Sequence, residues 1–240
     1  MNNNPGKVSD LTAGVFGNQA PEYLDFLPES TLDLSMAKRG QVHFLNNCTG
    51  CHGTYDKTWD RPEAANLPLR EQVKTVDVHY HKQTPVMDVG TDPNRHLGME
   101  HLLKEFEHIR GYLKSFGIEY EQTKGYVPPP LVGIWARWPY FHNNAAPSLC
   151  AVLTRTADRP KKYIAGPAVN PATDYDSDCG GYPVVAKAPE EWKQNDEYWF
   201  DTTREGMKNM GHDEGIFLDN GRELLTPVQK RELVEFLKTL

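Results

Sequence analysis

Five consecutive residues, Cys48-Thr49-Gly50-Cys51-His52, constrain this chain more than any other stretch. Two thiols three positions apart, followed at once by an imidazole, is the spacing that attaches a c-type haem. Both thiols can form thioethers to the haem vinyl groups, and the next residue then stands under the iron as its proximal ligand. The expected cofactor is one covalent haem c held by Cys48, Cys51 and His52. Two other readings of a Cys-x-x-Cys pair are weaker. A structural zinc site needs two further ligands, usually a second close pair, and the remaining cysteines, Cys150 and Cys179, stand far apart. A thioredoxin-like redox pair needs a βαβ context, whereas the segment before Cys48 has a helical period.

A haem also helps to explain how such a polar chain could hold a core. Its mean hydropathy is −0.64, and 18 prolines and 19 glycines over 240 residues imply much loop. The net charge of −7 argues against nucleic acid, which calls for basic patches, and suits a redox partner with a basic face. No apolar run approaches the ~20 residues that span a bilayer. Covalent haem attachment happens outside the cytoplasm, so the expected location is periplasmic or extracellular. Met1–Asn4 has neither a basic n-region nor an apolar h-region, so this end reads as a mature terminus or as the interior of something longer. In an oxidising compartment the two leftover thiols, Cys150 and Cys179, are expected to pair, the alternative being two separate buried thiols.

Residues 1–33 show no sustained helical period and read as an arm that wraps the domain or meets a partner. Residues 34–240 read as one haem domain with extended loops over about 120–200. Ser35 to Asn47 reads as a helix with Met36, Gly40, Phe44 and Leu45 on one face, leading into the haem motif. Thr54 to Asp77 reads as loop with a short helical piece. Gly98 to Ser115 reads as a helix with Leu102, Leu103, Phe106, Ile109, Tyr112 and Leu113 on one side, stopped by Gly117. Lys124 to Pro130 is a linker ending in three prolines, and Thr154 to Glu197 is irregular. At the C-terminus Thr226, Pro227 and Gln229 write a capping box ahead of Leu233, Phe236, Leu237 and Leu240. Gly40 and Phe44 are expected to meet Phe236 and Leu237. The fold class expected from this pattern is mainly α, a class I cytochrome c-like haem domain with long irregular loops and an N-terminal arm.

Several of these stretches resemble one family. Gly133-Ile134-Trp135-Ala136-Arg137-Trp138-Pro139-Tyr140-Phe141-His142-Asn143-Asn144 resembles a segment of the rubber (latex) oxygenases and related dihaem cytochromes. The bacterial dihaem cytochrome c peroxidases are more distant relatives. Val89 to Arg95, Arg159 to Tyr163, Asn209 to Gly215 and the tail from Leu225 resemble further blocks, in the same order. The family carries two haem motifs and this chain one, so it resembles the C-terminal, electron-transfer half. The resemblance implies bis-histidine ligation with His212 opposite His52. Met210, Met207 and Met87 remain alternatives for that sixth position.

Around the haem, Arg95 and Arg137 are candidates to pair propionates, because a guanidinium matches a carboxylate fork. Trp135 and Tyr140 are candidates to pack on the haem, and Tyr140 and His142 to hydrogen-bond a propionate. A second metal site at His79 and His81 is a minor alternative. Two function classes follow. The first is an electron-transfer cytochrome working with a redox partner protein, alone or in a homo- or hetero-oligomer that completes a multi-haem unit. The second is a haem peroxidase or dioxygenase with an open or displaceable distal site. A haem-bearing structural subunit is a third.

Overall fold

Asp33 starts the helix that carries the haem motif: its carboxylate accepts the Met36 amide at 2.9 Å. The computed structural model describes residues 5–83, 85–120 and 123–240; the N-terminal reading at Met1–Asn4 lies outside them. A helix α1 (Pro5–Gly17) opens the described chain, where no helical period was expected. The chain then turns inward, and Tyr23, Leu24, Leu27 and Leu32 are buried in the main core. Helix α2 (Leu34–Asn47) runs directly into the short helix α3 (Thr49–His52).

The C-terminal helix, Pro227–Lys238, crosses α2. Its capping box forms as the sequence predicts: the Gln229 amide donates to Thr226 Oγ1 at 3.3 Å, and the Thr226 amide to Gln229 Oε1 at 2.8 Å. Gly40 is the reason the two helices can touch. A Cβ there would lie 1.9 Å from the Glu232 carbonyl oxygen and 2.9 Å from Phe236 Cβ. One turn on, the Phe44 and Phe236 rings meet with centroids 5.1 Å apart. Glu232, buried in the crossing, takes hydrogen bonds from Arg39 and, at 2.8 Å, from His43.

The expectation of a mainly α fold is corrected. Helical residues make up 43 % of the chain and extended residues 12 %. Three two-stranded antiparallel sheets interrupt the helices. Strands β1 (Thr54–Lys57) and β2 (Thr75–His79) pair across the stretch read as loop. Strands β3 (Lys162–Ile164) and β4 (Trp199–Asp201) pair across the stretch read as irregular. Strands β5 (Leu218–Asp219) and β6 (Arg222–Glu223) form a tight hairpin after the His212 loop. The physical reason is that proline and glycine cut the chain into pieces too short for helices, and the pieces find backbone partners in each other. Cys150 and Cys179 are joined by a disulfide.

The segment Asn94–Ser115 is helical, broken by a 3₁₀ turn at Glu107–Ile109. None of its side chains is fully buried. Part of its apolar face, with Met99, Leu103, Phe106 and Leu113, lines a cavity of about 470 Å³ shared with Ile118 and Tyr126. Among the described residues no helix is long and apolar enough to cross a membrane.

Candidate functional site

The motif residues sit where α2 ends. Cys48 caps that helix, and Cys51 and His52 lie on α3. All three are half-buried, and Cys48 packs against the main core. Burial, and then the neighbouring Cys51 thiol, pushes the Cys48 thiol up to about 12; burial pushes Cys51 up as well. A reactive dithiol pair needs an accessible thiolate, which this burial disfavours, and the two thiols are compatible with thioether formation.

His52 is fixed by its own second bond. Its Nδ1 lies 3.0 Å from the Pro129 carbonyl oxygen, which can only accept, so Nδ1 carries the proton and Nε2 offers its lone pair. Arg137 braces that carbonyl's strand of chain, donating to the Pro130 oxygen at 2.8 Å and to the Val132 oxygen. Tyr55 ties the same segment to α3: its hydroxyl donates to the His52 carbonyl at 2.9 Å and accepts the Leu131 amide at 2.6 Å.

His212 faces His52 from the loop before β5. Their ring centroids are 6.5 Å apart, with the planes at 52°. Two metal–nitrogen bonds of about 2.0–2.1 Å in line, plus roughly 1 Å from each nitrogen to its ring centre, need a separation of roughly 6 Å. The pair fits one metal ion between two imidazoles. Burial lowers the affinity of His52 for a proton, against the pull of the Pro129 bond. Burial, then His52 and Arg159, push His212 down to about 4. Both imidazoles are therefore neutral at neutral pH, the form a metal takes. His212 Nδ1 is enclosed and has no hydrogen-bond partner among the described residues.

The loop bearing His212 is held from behind by Arg159, a residue whose role the sequence reading did not identify. Its buried guanidinium donates to the carbonyls of Ala151 (3.0 Å), Thr154 (2.8 Å), Asn209 (2.5 Å) and Gly211 (2.7 Å). It also lies 5.0 Å from the centre of the Phe141 ring, and that ring lies 6.0 Å from the His212 ring. Burial lowers the Arg159 pKa to about 10, which leaves it charged. The His212 amide donates to the Val89 carbonyl at 2.7 Å, so the Val89 to Arg95 block supports the same loop.

The other candidates divide. Arg95 is exposed and donates to the His142 carbonyl at 3.3 Å. His142 stacks on Tyr126, 4.3 Å between centroids, with Nε2 3.3 Å from the Tyr126 hydroxyl. Tyr140 is buried with its hydroxyl 3.1 Å from the carbonyls of both Ile134 and Gly180. Trp135 packs on Tyr23 and donates to the Pro21 carbonyl at 2.9 Å, tying the N-terminal segment to the core. Met87 places its sulfur 3.0 Å from Cys51 Sγ, on the motif rather than opposite it, and Met210 is exposed. His79 bonds Asp56 at 2.9 Å and is exposed, whereas His81 lies beyond β2 with Nε2 enclosed.

A family model described as RoxA-like, cytochrome c-like matches residues 125–164. That stretch holds Pro129, Arg137, Tyr140, His142 and Arg159. Over that stretch the chain resembles the RoxA-like haem domain, a match that suggests haem binding. Two relatives in Sinorhizobium fredii align with 98 % of it. The uncharacterized protein y4iM is 25 % identical over 250 residues, covering 55 % of that relative. The uncharacterized protein y4iJ is 34 % identical over 282 residues, covering 44 % of that relative. The chain spans about half the length of these curated relatives.

Proposed function

We propose that this chain is a monohaem c-type cytochrome that passes electrons to or from a partner redox protein outside the cytoplasm. The observation that carries the reading is the pair of neutral imidazoles, His52 and His212, whose ring centroids stand 6.5 Å apart beside Cys48 and Cys51. The two cysteines would hold one haem covalently and the two histidines would fill both axial positions. When bound, the haem supplies one-electron chemistry, and axial ligands can move its potential over about 0.8 V. Two imidazoles belong toward the lower end of that range, relative to a histidine–methionine pair.

The protein's own residues do the positioning. The Pro129 carbonyl holds the His52 tautomer, and Arg159 and the Val89 carbonyl hold the His212 backbone. Arg95 and Arg137 already donate to backbone carbonyls. That supports electron transfer over peroxide or oxygen chemistry. The relatives are about twice as long, which supports a second unit as the electron partner.

The test is the EPR and visible spectrum of the ferric, haem-loaded protein beside His212→Ala. A low-spin bis-imidazole signal that turns high-spin in the variant is expected. A high-spin wild type that reacts with peroxide would replace this reading with an enzyme.

A further inference from the structure

The two imidazoles are not held alike. His52 donates Nδ1–H to the Pro129 carbonyl at 3.0 Å and follows directly on Cys51, a point of covalent attachment in the reading above. His212 has the opposite surroundings. Its Nδ1 is enclosed without an acceptor among the described residues. Ligating histidines almost always donate that proton to an acceptor, and losing the acceptor weakens metal binding about 10- to 100-fold. The buried Arg159 cation stands behind Phe141, can accept nothing and opposes positive charge on the imidazole, with the Asp213 carboxylate acting more weakly the other way. The His212 backbone also stands at φ 55°, a left-handed conformation that costs free energy in any residue but glycine. Its neighbours are tied to Thr156 on both sides: the Gly211 amide donates to Thr156 Oγ1 at 3.1 Å, and the Thr156 amide to Asp213 Oδ2 at 2.7 Å.

We infer that His212 is the releasable axial group and that the position it vacates takes small anionic ligands, a binding activity beyond electron transfer; the inference rests on the bis-histidine reading. The exchange balances without an oxidant or reductant. The bond from His212 Nε2 to the metal breaks, a bond from the anion forms, and the imidazole keeps its lone pair. The buried charge of Arg159 favours an anion over a neutral ligand of the same size. His52 stays bound throughout, held by Pro129 and by the attachment beside it.

Cyanide is the probe, titrated into the ferric haem-loaded protein and followed by absorption and EPR. Saturable one-to-one binding that replaces the bis-imidazole signal with an imidazole–cyanide signal is expected. Release of His212 should limit the rate. Thr156→Val, which loses the Gly211 bond, should then bind about 3- to 10-fold faster, and His212→Ala should bind without the slow step. A bis-imidazole wild type that keeps its spectrum in saturating cyanide would overturn the inference and leave the electron-transfer reading intact. A rate proportional to cyanide at all concentrations and equal in the three proteins would also overturn it. A wild type that is not bis-imidazole at the outset would overturn both.

Discussion

The two sides of the candidate site are built from different material. The His52 side rests on regular structure: α2 and the C-terminal helix cross through Gly40, and α3 hangs from the end of α2. The His212 side has almost no regular structure. Its loop is held by a buried guanidinium spread over several carbonyls, by a backbone bond to Val89 and by two bonds to Thr156, one through its hydroxyl and one through the Asp213 carboxylate. A helix crossing spreads its cohesion over many contacts, so one loss is shared. A strut concentrates it in one side chain, so one loss is local and large. The difference places rigidity on the attachment side and adjustability on the opposite side.

The largest effect is expected at the crossing. Gly40→Leu puts a side chain where even a Cβ would overlap the Glu232 backbone, and backbone in a helix cannot step aside. The helices must separate, at a cost of about 4 kcal/mol or more, since burial in both helices is lost with the overlap. Thermal unfolding would show it as a loss of roughly 10 °C or as failure to fold. Gly40→Ala should also destabilise clearly, and a melt equal to wild type would mean the helices do not touch there.

Next is Arg159→Met. Its carbonyl partners, among them those of Ala151, Thr154, Asn209 and Gly211, lose their donor, at a net cost of about 3 kcal/mol. The loss should stay on its own side. Hydrogen exchange is expected to accelerate at His212 and its neighbours while the amides of α2 and the C-terminal helix keep their protection. Equal loss on both sides would mean that the two regions unfold as one unit and that the contrast between them is not energetic.

The same contrast explains what the sequence let one read. The crossing was legible because its signals are local: a helical period through Gly40 and Phe44, and the Thr226–Gln229 capping box. The expectation of a haem motif rests on five adjacent residues. The expectation for His212 rests on resemblance, since nothing local distinguishes it from a surface histidine; what the fold adds is that its ring faces that of His52. Arg159 stood in a block matched to the family, yet its work depends on carbonyls at 151, 154, 209 and 211, which only the folded chain assembles. The Pro129 carbonyl was hidden in the same way, as a backbone atom in a stretch read as linker. Strands β1 and β2 escaped because their pairing is non-local and each is only a few residues long. The helix expected at Gly98–Ser115 forms, but its apolar face borders a cavity, where periodicity alone promises a packed core.

The smallest effect concerns a charge inside the crossing. Glu232 is buried there, and the hydrogen bond from Arg39, with a further bond from His43, holds its carboxyl below the usual carboxylate range, against the opposing effect of burial. A carboxyl whose pKa is lower folded than unfolded binds fewer protons in the native state. Its contribution is therefore complete above the unfolded value, about 4.3, and disappears as pH falls through the folded one. Glu232→Gln keeps the shape and removes the charge, so it should cost about 1 kcal/mol at pH 7. Urea unfolding of both proteins from pH 7 down to pH 3 would show the gap closing below roughly pH 4. A gap that does not change with pH would mean Glu232 acts in the crossing by packing alone, and the helix side would then owe its rigidity to shape without help from charge.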